Sequence, residues 1–191
     1  MATSESLVEH EIRSESVFSG KLLKVYRDEV RLPDGSPSVR EWINHPGAAA
    51  VVPILPDGST LLVRQFRYPA RQTFLEVPAG KFDRPGEDPY DLAMRELAEE
   101  TGCKAVNLIA LGSFYPCIGY SSEQIYVFLA EGVECGAQDL DEGEFIELVP
   151  IPFVEAVSMA REGKLQDAKT ALALLMADAY LSNRDNARAE D

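Results

Sequence analysis

The chain has 191 residues and a formal net charge of −14, from 32 acidic against 18 basic side chains. This length suits one compact domain or a domain with a small appendage, and an apolar fraction of 46% argues against general disorder. The acidic balance disfavours nucleic acid and anionic membrane as partners, and no window is long and apolar enough to span a bilayer. It does not exclude a phosphate substrate held by divalent cations and a few local arginines.

Turn residues divide the first half of the chain into strands. Segments 20–32 and 36–45 flank a Pro-Asp-Gly turn and predict a long hairpin. Segments 48–55 and 60–68 predict a second hairpin, whose first strand is a continuous apolar run suited to a buried position. Further strands are predicted at 73–80, before a loop, and at 107–115 and 123–131, which should pair.

Three helices are predicted. The first starts at Pro89, with Asp88 as its cap, and ends at Gly102. The second lies within 152–163 and the third within 167–182, after which the chain should fray. Strands combined with helices in this order indicate an α+β protein. We expect residues 1–45 to form a small N-terminal antiparallel β subdomain and residues 46–191 to form the main domain.

The cysteines bear on cellular location. Cys103, Cys117 and Cys135 are odd in number and scattered along the chain. This distribution disfavours a disulfide framework or a zinc site. The polar N-terminal segment has no apolar run. We therefore expect a cytoplasmic protein with reduced cysteines.

The first helix carries three carboxylates, Glu96, Glu99 and Glu100, in its last turns. The like-charged pair Glu96 and Glu100 costs roughly 0.2–0.5 kcal/mol. The negative end of the helix dipole adds about 0.3–1 kcal/mol against each carboxylate in the last turn. Mg²⁺ would balance these charges, because it binds carboxylate oxygens and usually shares its ligand shell with substrate phosphate. Alternatively, these good helix formers simply line a solvated face. The nearly opposite side, which should pack, carries Tyr90, Met94, Leu97 and Thr101.

The sequence around this helix resembles the Nudix box, G-x5-E-x7-R-E-U-x-E-E-x-G-U, in which U is an apolar residue. Every specified position from Glu87 to Cys103 is filled. Six residues rather than five separate Gly80 from Glu87, and this insertion lies in the loop before the helix, so the helix register is intact. The resemblance implies the Nudix fold, a mixed β-sheet sandwiched between helices.

The resemblance extends over roughly residues 17 to 175. The run "RQFRYP" followed by "LEVPAG" is similar to the ADP-ribose pyrophosphatase and nucleoside diphosphate sugar hydrolase branch. This branch implies hydrolysis of the pyrophosphate bond of ADP-ribose or a related nucleoside diphosphate sugar to a nucleoside monophosphate and a sugar phosphate. The implied cofactor is Mg²⁺, with Mn²⁺ as a substitute. Members are typically homodimers, and their N-terminal strands help to build the partner's substrate pocket.

Roles for the helix residues follow from the resemblance. Arg95 should orient the carboxylates through charge-assisted hydrogen bonds, and Glu87 should be a supporting acid near the helix start. Glu99 should act in catalysis as well as in metal binding. The implied metal ligands are the Ala79 carbonyl, Glu96, Glu99 and Glu100.

Other candidate residues lie outside the helix. Family members take a catalytic glutamate from a late loop, for which Glu144 is the best match and Glu142 the second. Arg67 matches a position that contacts substrate phosphate or base, but it could be an ordinary strand arginine. Glu123 matches a glutamate that often belongs to the substrate site. Trp42 could stack on a base or simply pack in the core or at a subunit interface.

One departure from the pattern leaves the substrate open. ADP-ribose-preferring members often carry a proline where this chain has Ile118. GDP-mannose and dinucleoside polyphosphates are therefore alternative substrates. Two further readings are a nucleotide-sugar binding module without catalysis and an unrelated acidic interaction protein.

Overall fold

The computed structural model describes residues 4–140 and 143–189. These residues form two compact units. The first holds the described residues up to Gly47 together with Cys117–Gln124, and the second holds Ala48–Pro116 and the described residues from Ile125 onward. The boundary at residue 45 stays a prediction, and so does the role of the N-terminal subdomain in dimerisation.

The first unit is a three-stranded antiparallel sheet in the order β1-β2-β3, and a short 3-10 turn precedes it. The predicted hairpin of β2 and β3 is confirmed, and Leu32 N–H donates to Ser36 O across its turn at 2.8 Å. The sequence did not predict β1 as a separate strand, because all ten of its residues are exposed and show no apolar alternation. The strands are β1 (His10–Ser19), β2 (Lys24–Arg31) and β3 (Pro37–Ile43).

The second unit is built around a four-stranded mixed sheet in the order β7-β4-β10-β9. Strand β4 pairs in parallel with β10 and antiparallel with β7, and the predicted pairing of β9 with β10 is confirmed. Antiparallel β12-β5-β6 forms a second sheet, and β8 pairs with β11. The strands are β4 (Ala48–Pro53), β5 (Ser59–Arg67), β6 (Gln72–Glu76), β7 (Ala79–Lys81), β8 (Cys103–Lys104), β9 (Asn107–Phe114), β10 (Ile125–Glu131), β11 (Glu134–Cys135) and β12 (Ile146–Pro152).

The prediction that β4 and β5 form a hairpin is wrong. The turn between them is tight, but the two strands share only the isolated bridge between Ile54 and Thr60. Both edges of β4 are occupied by β7 and β10, so β5 pairs with β12 and β6 instead. The expected burial of β4 is confirmed, since all six of its residues are buried.

Helices cover both faces of the mixed sheet. They are α1 (Pro89–Thr101), α2 (Phe153–Arg161) and α3 (Ala168–Ala189). Successive residues of β4 alternate between two apolar clusters: Ala50 packs with Leu174 of α3, and Val51 packs with Leu97 of α1. The expected α+β fold, with a mixed sheet between helices and an N-terminal antiparallel sheet, is confirmed.

One expectation for the helices is wrong, and a second is only partly confirmed, because Leu97 and Thr101 of the predicted packing face of α1 are buried as expected. Helix α3 does not fray after residue 182 but continues to Ala189. In α1, Tyr90 is 43% exposed, whereas Leu92, Ala93 and Glu100 are buried. The helix is covered on more than one side, so a face counted from sequence spacing alone misses part of its contact surface. No helix in the described ranges is long and apolar enough to cross a membrane.

The expectation that the cysteines stay reduced is also wrong for one pair. Cys103 and Cys135 lie opposite each other in the β8–β11 ladder and form a disulfide across a sequence separation of 32 residues. Counting cysteines could not reveal this, because pairing depends on strands that are distant in sequence. Cys117 keeps its thiol and accepts a hydrogen bond from the Tyr120 hydroxyl at 3.2 Å.

Candidate active site

Helix α1 begins and ends where the sequence indicates. The Asp88 carboxylate accepts from Tyr90 N–H and Asp91 N–H, at 2.8 and 2.9 Å, which caps the first turn. Gly102 ends the helix in the left-handed conformation, with φ of 70°. The carboxylates of the last turns are thereby fixed in their helical register.

The segment from Gly136 to Asp139 covers the C-terminal end of α1. Gly136 N–H donates to Gly102 O at 2.8 Å, and Asp139 N–H donates to Glu99 O at 3.0 Å. The Gln138 side-chain amide donates to Glu100 O at 2.6 Å. These bonds satisfy carbonyls that a helix end otherwise leaves without partners, so the backbone behind the carboxylates is held in place. We call this segment the strap.

Arg95 connects the acidic residues around α1. Its Nε and Nη2 donate to the two oxygens of Glu87 at 2.9 and 3.2 Å. Its Nη1 donates to both Glu96 and Glu99 at 2.8 Å, and its Nη2 also reaches Asp83 at 3.1 Å. The pKa of Arg95 is raised, first by its hydrogen bond to Glu87. The guanidinium therefore fixes the orientation of two candidate metal ligands through charge-assisted hydrogen bonds.

Strand β7 lies directly against the carboxylates of α1. Ala79 N–H donates to Glu100 Oε2 at 3.0 Å. A Cβ placed on Gly80 would lie 2.0 Å from the Glu96 carboxyl carbon, so only a glycine leaves room for that carboxylate. The extra residue in the loop after Gly80 therefore does not separate Ala79 and Gly80 from the helix.

Burial and mutual repulsion act strongly on two of these carboxylates. The pKa of Glu96 is raised to about 7, chiefly by burial, while Arg95 acts to lower it and the charge of Glu99 acts to raise it. The pKa of Glu100 is raised to about 8, again chiefly by burial, while the Ala79 N–H acts to lower it and the charge of Glu96 acts to raise it. Two acids held together at such cost are typical of a functional site.

The oxygen donors fit a hard divalent cation. Carboxylates that lie close together, are shielded from water and repel each other are the ligands that such a cation would stabilise. The glycine at position 80 keeps the space beside Glu96 clear. Among the described residues no three His, Cys, Asp or Glu side chains already converge as a ligand cluster, and Arg95 binds both Glu96 and Glu99.

Of the two candidate glutamates late in the chain, Glu144 lies among the residues that the structure describes. Glu144 is exposed in the segment that leads into β12, and its charge contributes to raising the pKa of Glu96 and Glu100. It therefore lies within electrostatic reach of the α1 carboxylates. Glu142, the second candidate, lies outside the described residues.

Arg67 borders a cavity of about 380 Å³ between the β5–β6 turn and the start of α3. Its guanidinium makes two hydrogen bonds to Glu76, both at 2.7 Å. Its pKa is raised, first by these bonds and further by the charge of Glu100, so Arg67 also lies within electrostatic reach of Glu100. The Arg67 side chain is 44% exposed, but its guanidinium is bound to the buried carboxylate of Glu76.

Trp42 and Glu123 belong to the first unit. Trp42 Nε1 donates to Asp28 at 2.6 Å, and its ring stacks on Tyr26 with centroids 5.1 Å apart. Glu123 lies 3.8 Å from His45 Nδ1. These contacts account for Trp42 as a packing residue of the sheet, and its role in substrate binding stays a prediction, as does that of Glu123.

The sequence reasoning did not single out Glu76, Asp167 and Lys169. They form a buried or half-buried ionic network beside Arg67. A signal was present for Glu76, an acid within the otherwise apolar segment 74–79, and for Asp167, which directly precedes a helix. Neither signal reveals that Glu76 and Asp167 both bind Lys169, because 91 residues of chain separate β6 from α3.

A Glu-rich helix that packs its carboxylates against a glycine-containing strand, on a mixed sheet between helices, defines a Nudix-type hydrolase. The NUDIX domain model matches residues 44–174, and the model of the nucleoside diphosphate sugar hydrolase N-terminal domain matches residues 9–43. The chain belongs to the Nudix family.

Similar proteins carry related names. An ADP-ribose pyrophosphatase of Bacillus subtilis (strain 168) is 41% identical over 172 residues, which covers 89% of this chain and 92% of that protein. A GDP-mannose pyrophosphatase of Yersinia enterocolitica is 33% identical over 143 residues, or 70% of this chain and 74% of that protein. A crystal structure of an ADP compounds hydrolase shares the fold, with a TM-score of 0.81 at 24% identity, and the match covers 92% of this chain and 95% of that one.

Proposed function

We propose that this Nudix hydrolase cleaves the pyrophosphate bond of nucleoside diphosphate sugars, with ADP-ribose as the first candidate and Mg²⁺ as the metal. The observation that carries the proposal is the pair of shielded carboxylates, Glu96 and Glu100, packed against Ala79 and Gly80, with Arg67 within electrostatic reach of Glu100. The names of the similar pyrophosphatases support the same substrate class.

In this proposal one group of residues binds the metal and Arg67 binds the substrate. Glu96, Glu99, Glu100 and the Ala79 carbonyl would hold the metal. A divalent cation there would neutralise charge at the diphosphate and favour ionisation of the attacking water. Arg67 binds a phosphate oxygen, since a guanidinium matches phosphate geometry.

Arg95 and Glu144 serve the reaction in different ways. Arg95 keeps the ligand carboxylates in orientation through the bonds it makes to Glu87, Glu96 and Glu99. Glu144 accepts the proton of the attacking water, with Glu142 as the second candidate. Attack at one phosphorus then breaks the bridging P–O bond and gives a nucleoside monophosphate and a sugar phosphate.

A substrate panel tests the proposal. The protein is incubated with ADP-ribose, GDP-mannose and a dinucleoside polyphosphate, each with Mg²⁺, with Mn²⁺ or with a chelator, and the products are separated by chromatography. We expect AMP and ribose 5-phosphate from ADP-ribose, and no product with the chelator. Repeating the reaction in ¹⁸O water shows which product takes the solvent oxygen. Absence of turnover on every nucleoside diphosphate sugar contradicts the proposal.

GDP-mannose is the second candidate substrate. Ile118 occupies the position where ADP-ribose-preferring members often have a proline, and its side chain is 84% exposed. A higher kcat/KM for GDP-mannose than for ADP-ribose in the same panel supports this alternative. A thermal shift with ADP-ribose but no turnover of any substrate would instead indicate a binding module.

The proposal also extends to the protein's oligomeric state, its partners and its cellular location. We propose a homodimer, because β1 exposes Ile12, Val17 and Phe18, and exposed apolar side chains of this kind are typical of an interface. The acidic net charge supports the absence of a nucleic-acid partner. The predicted cytoplasmic location rested on reduced cysteines, and the Cys103–Cys135 disulfide contradicts them for one pair. The location therefore stays a proposal, which cell fractionation tests.

A further inference from the structure

Strand β6 ends on a buried carboxylate that the proposed reaction does not use. Glu76 is 3% exposed, and a carboxylate so placed is costly unless it is paired and hydrogen-bonded. Arg67 donates to both of its oxygens at 2.7 Å, and Lys169 Nζ donates to Oε2 at 3.0 Å. Glu76 therefore has one orientation, which is set by two cations.

The two hydrogen bonds from Arg67 to Glu76 fix the orientation of the whole guanidinium. Its Nε and Nη2 lie along one edge of the planar group, and both donate to Glu76. A guanidinium carries five N–H groups in a rigid fork, so holding one edge determines where the remaining N–H groups point. The Arg67 side chain is 44% exposed and lines the cavity of about 380 Å³, so those groups can reach a ligand there.

The other side of the network is anchored to α3. The Asp167 carboxylate accepts from Lys169 Nζ at 2.8 Å and from Thr170 N–H at 3.0 Å, which caps the helix. The Thr170 hydroxyl donates to Asp167 at 2.6 Å and accepts from Val77 N–H at 2.8 Å. Both the side chain of Glu76 and the backbone that follows it are therefore tied to the first turn of α3.

This network is continuous with the proposed metal site. From Glu76 the chain passes through Val77 and Pro78 to Ala79, whose N–H donates to Glu100. The charge of Glu100 contributes to the raised pKa of Arg67, and Lys169 acts to lower the pKa of Glu100. The Arg67 guanidinium and the Glu100 carboxylate therefore lie within electrostatic reach of each other.

We propose that Glu76 and Lys169 are positioning residues, which hold the Arg67 guanidinium in the orientation that binds a phosphate oxygen of the substrate. This inference rests on the proposed function. Recognition of phosphate by arginine depends on the direction of the fork. Loosening the fork therefore weakens substrate binding more than it slows the chemical step.

Steady-state kinetics of the full chain with ADP-ribose and Mg²⁺ test the inference. Glu76→Gln keeps the size of the side chain and removes its charge, and it should raise KM about 10-fold while kcat changes less than about 3-fold. In an Arg67→Ala background the same substitution should change KM less than about 2-fold, because the group it positions is gone.

Lys169 supplies a second variant and a rescue. Lys169→Gln should also raise KM, whereas Lys169→Arg, which keeps a cation, should have a KM close to that of the wild type. The matched control is Glu147→Gln. Glu147 of β12 forms an exposed ion pair at 2.8 Å with Arg64, which lies on β5 as Arg67 does. This control should leave both KM and kcat unchanged.

The results separate this inference from the proposed function. Wild-type protein that hydrolyses no nucleoside diphosphate sugar overturns the proposed function, and the inference with it. Wild-type turnover with an unchanged KM in Glu76→Gln and Lys169→Gln overturns the inference alone. So does a KM effect of Glu76→Gln that multiplies with that of Arg67→Ala. If Glu76→Gln does not fold, Lys169→Gln decides, because the Lys169 side chain is partly exposed.

Discussion

Glu100 and Glu144 are acids in very different surroundings. Glu100 is 6% exposed and bonded to Ala79 N–H, whereas Glu144 is exposed in a segment before β12. A buried ligand cannot be replaced by water without rearrangement, but an exposed proton acceptor can be. The two glutamates should therefore differ in how much of the rate depends on them.

We expect Glu100→Gln to lower kcat/KM at least about 100-fold, or about 2.7 kcal/mol of transition-state stabilisation, and Glu144→Gln to lower it less than about 10-fold. The measurement is kcat/KM for ADP-ribose with Mg²⁺. Small and similar losses in both variants would contradict a role of α1 in metal binding.

Gly80 allows stability and metal binding to be separated. In Gly80→Ala the added Cβ displaces the Glu96 carboxylate, which is a side-chain end rather than backbone and can shift. The apparent Mg²⁺ affinity should therefore fall at least about 10-fold, while the free energy of unfolding changes by less than about 1 kcal/mol. Magnesium titration of activity and urea denaturation measure the two quantities.

Gly136→Ala is the control for this substitution. A Cβ at Gly136 would meet Gly102 O at 3.6 Å, an ordinary contact, so neither quantity should change. An unaltered Mg²⁺ requirement in Gly80→Ala would show that the position of Glu96 does not matter.

Among the structural elements, the strap and the β8–β11 pair hold the C-terminal end of α1. The disulfide joins Cys103, directly after the C-cap residue of α1, to Cys135, directly before the strap. Cross-linking removes conformational freedom from the unfolded chain in proportion to the logarithm of the loop length. Its contribution should therefore appear in the stability of the second unit.

Cys135→Ser should lower the free energy of unfolding by about 3–4 kcal/mol for a loop of 32 residues. Urea denaturation without reductant measures this change. Cys117→Ser, at the cysteine that keeps its thiol, should have little effect. If a reductant leaves the wild-type denaturation curve unchanged, the disulfide does not contribute to stability in solution.

The contact between β6 and α3 should make stability depend on acidic pH. Burial alone would raise the pKa of Glu76, but Arg67 and Lys169 outweigh it, and the pKa is lowered from 4.5. Burial is likewise outweighed at Asp167, first by Lys169, and its pKa is lowered from 3.8. In both cases the folded state binds fewer protons than the unfolded state, so the contribution is complete above the unfolded values and is lost as pH falls below them.

We therefore expect the free energy of unfolding of the wild type to fall more steeply between about pH 5 and pH 3 than that of Glu76→Gln. Urea denaturation at a series of pH values measures the two slopes. Glu147→Gln should follow the wild-type slope, because its pair with Arg64 is exposed. Equal slopes in all three proteins would contradict the assigned ionic network.

At the scale of the whole molecule, the exposed apolar residues of β1 lead to a prediction about assembly. Sedimentation equilibrium should give twice the 21.0 kDa mass of the chain. Val17→Asp places a charge at a side chain that is now 50% exposed, and it should shift the protein to the monomer if β1 lies in the interface. A wild type that sediments as a monomer would contradict the homodimer.

The local features of the active site could be predicted from the sequence. The N-cap Asp88, the initial Pro89 and the terminal Gly102 predicted the bounds of α1, and the box residues fixed which carboxylates share that helix. Such signals act within a few residues, so they can be read without knowing what the helix packs against.

Strand pairing and side-chain partners could not be predicted in this way. The turn after β4 suggested a hairpin, but β10 and β7 occupy both edges of that strand. The burial of Glu100, the fit of Glu96 against Gly80, the Glu76–Lys169 contact and the Cys103–Cys135 disulfide all join segments distant in the chain.

The sequence by itself thus determined the type of helix, its acidic residues and the family they indicate. Only the tertiary structure decided which of those acids are shielded from water and which side chains hold Arg67. The physical reason is one of range. Helix register and capping depend on covalent neighbours, whereas burial, pKa and the orientation of a guanidinium depend on groups that folding brings together.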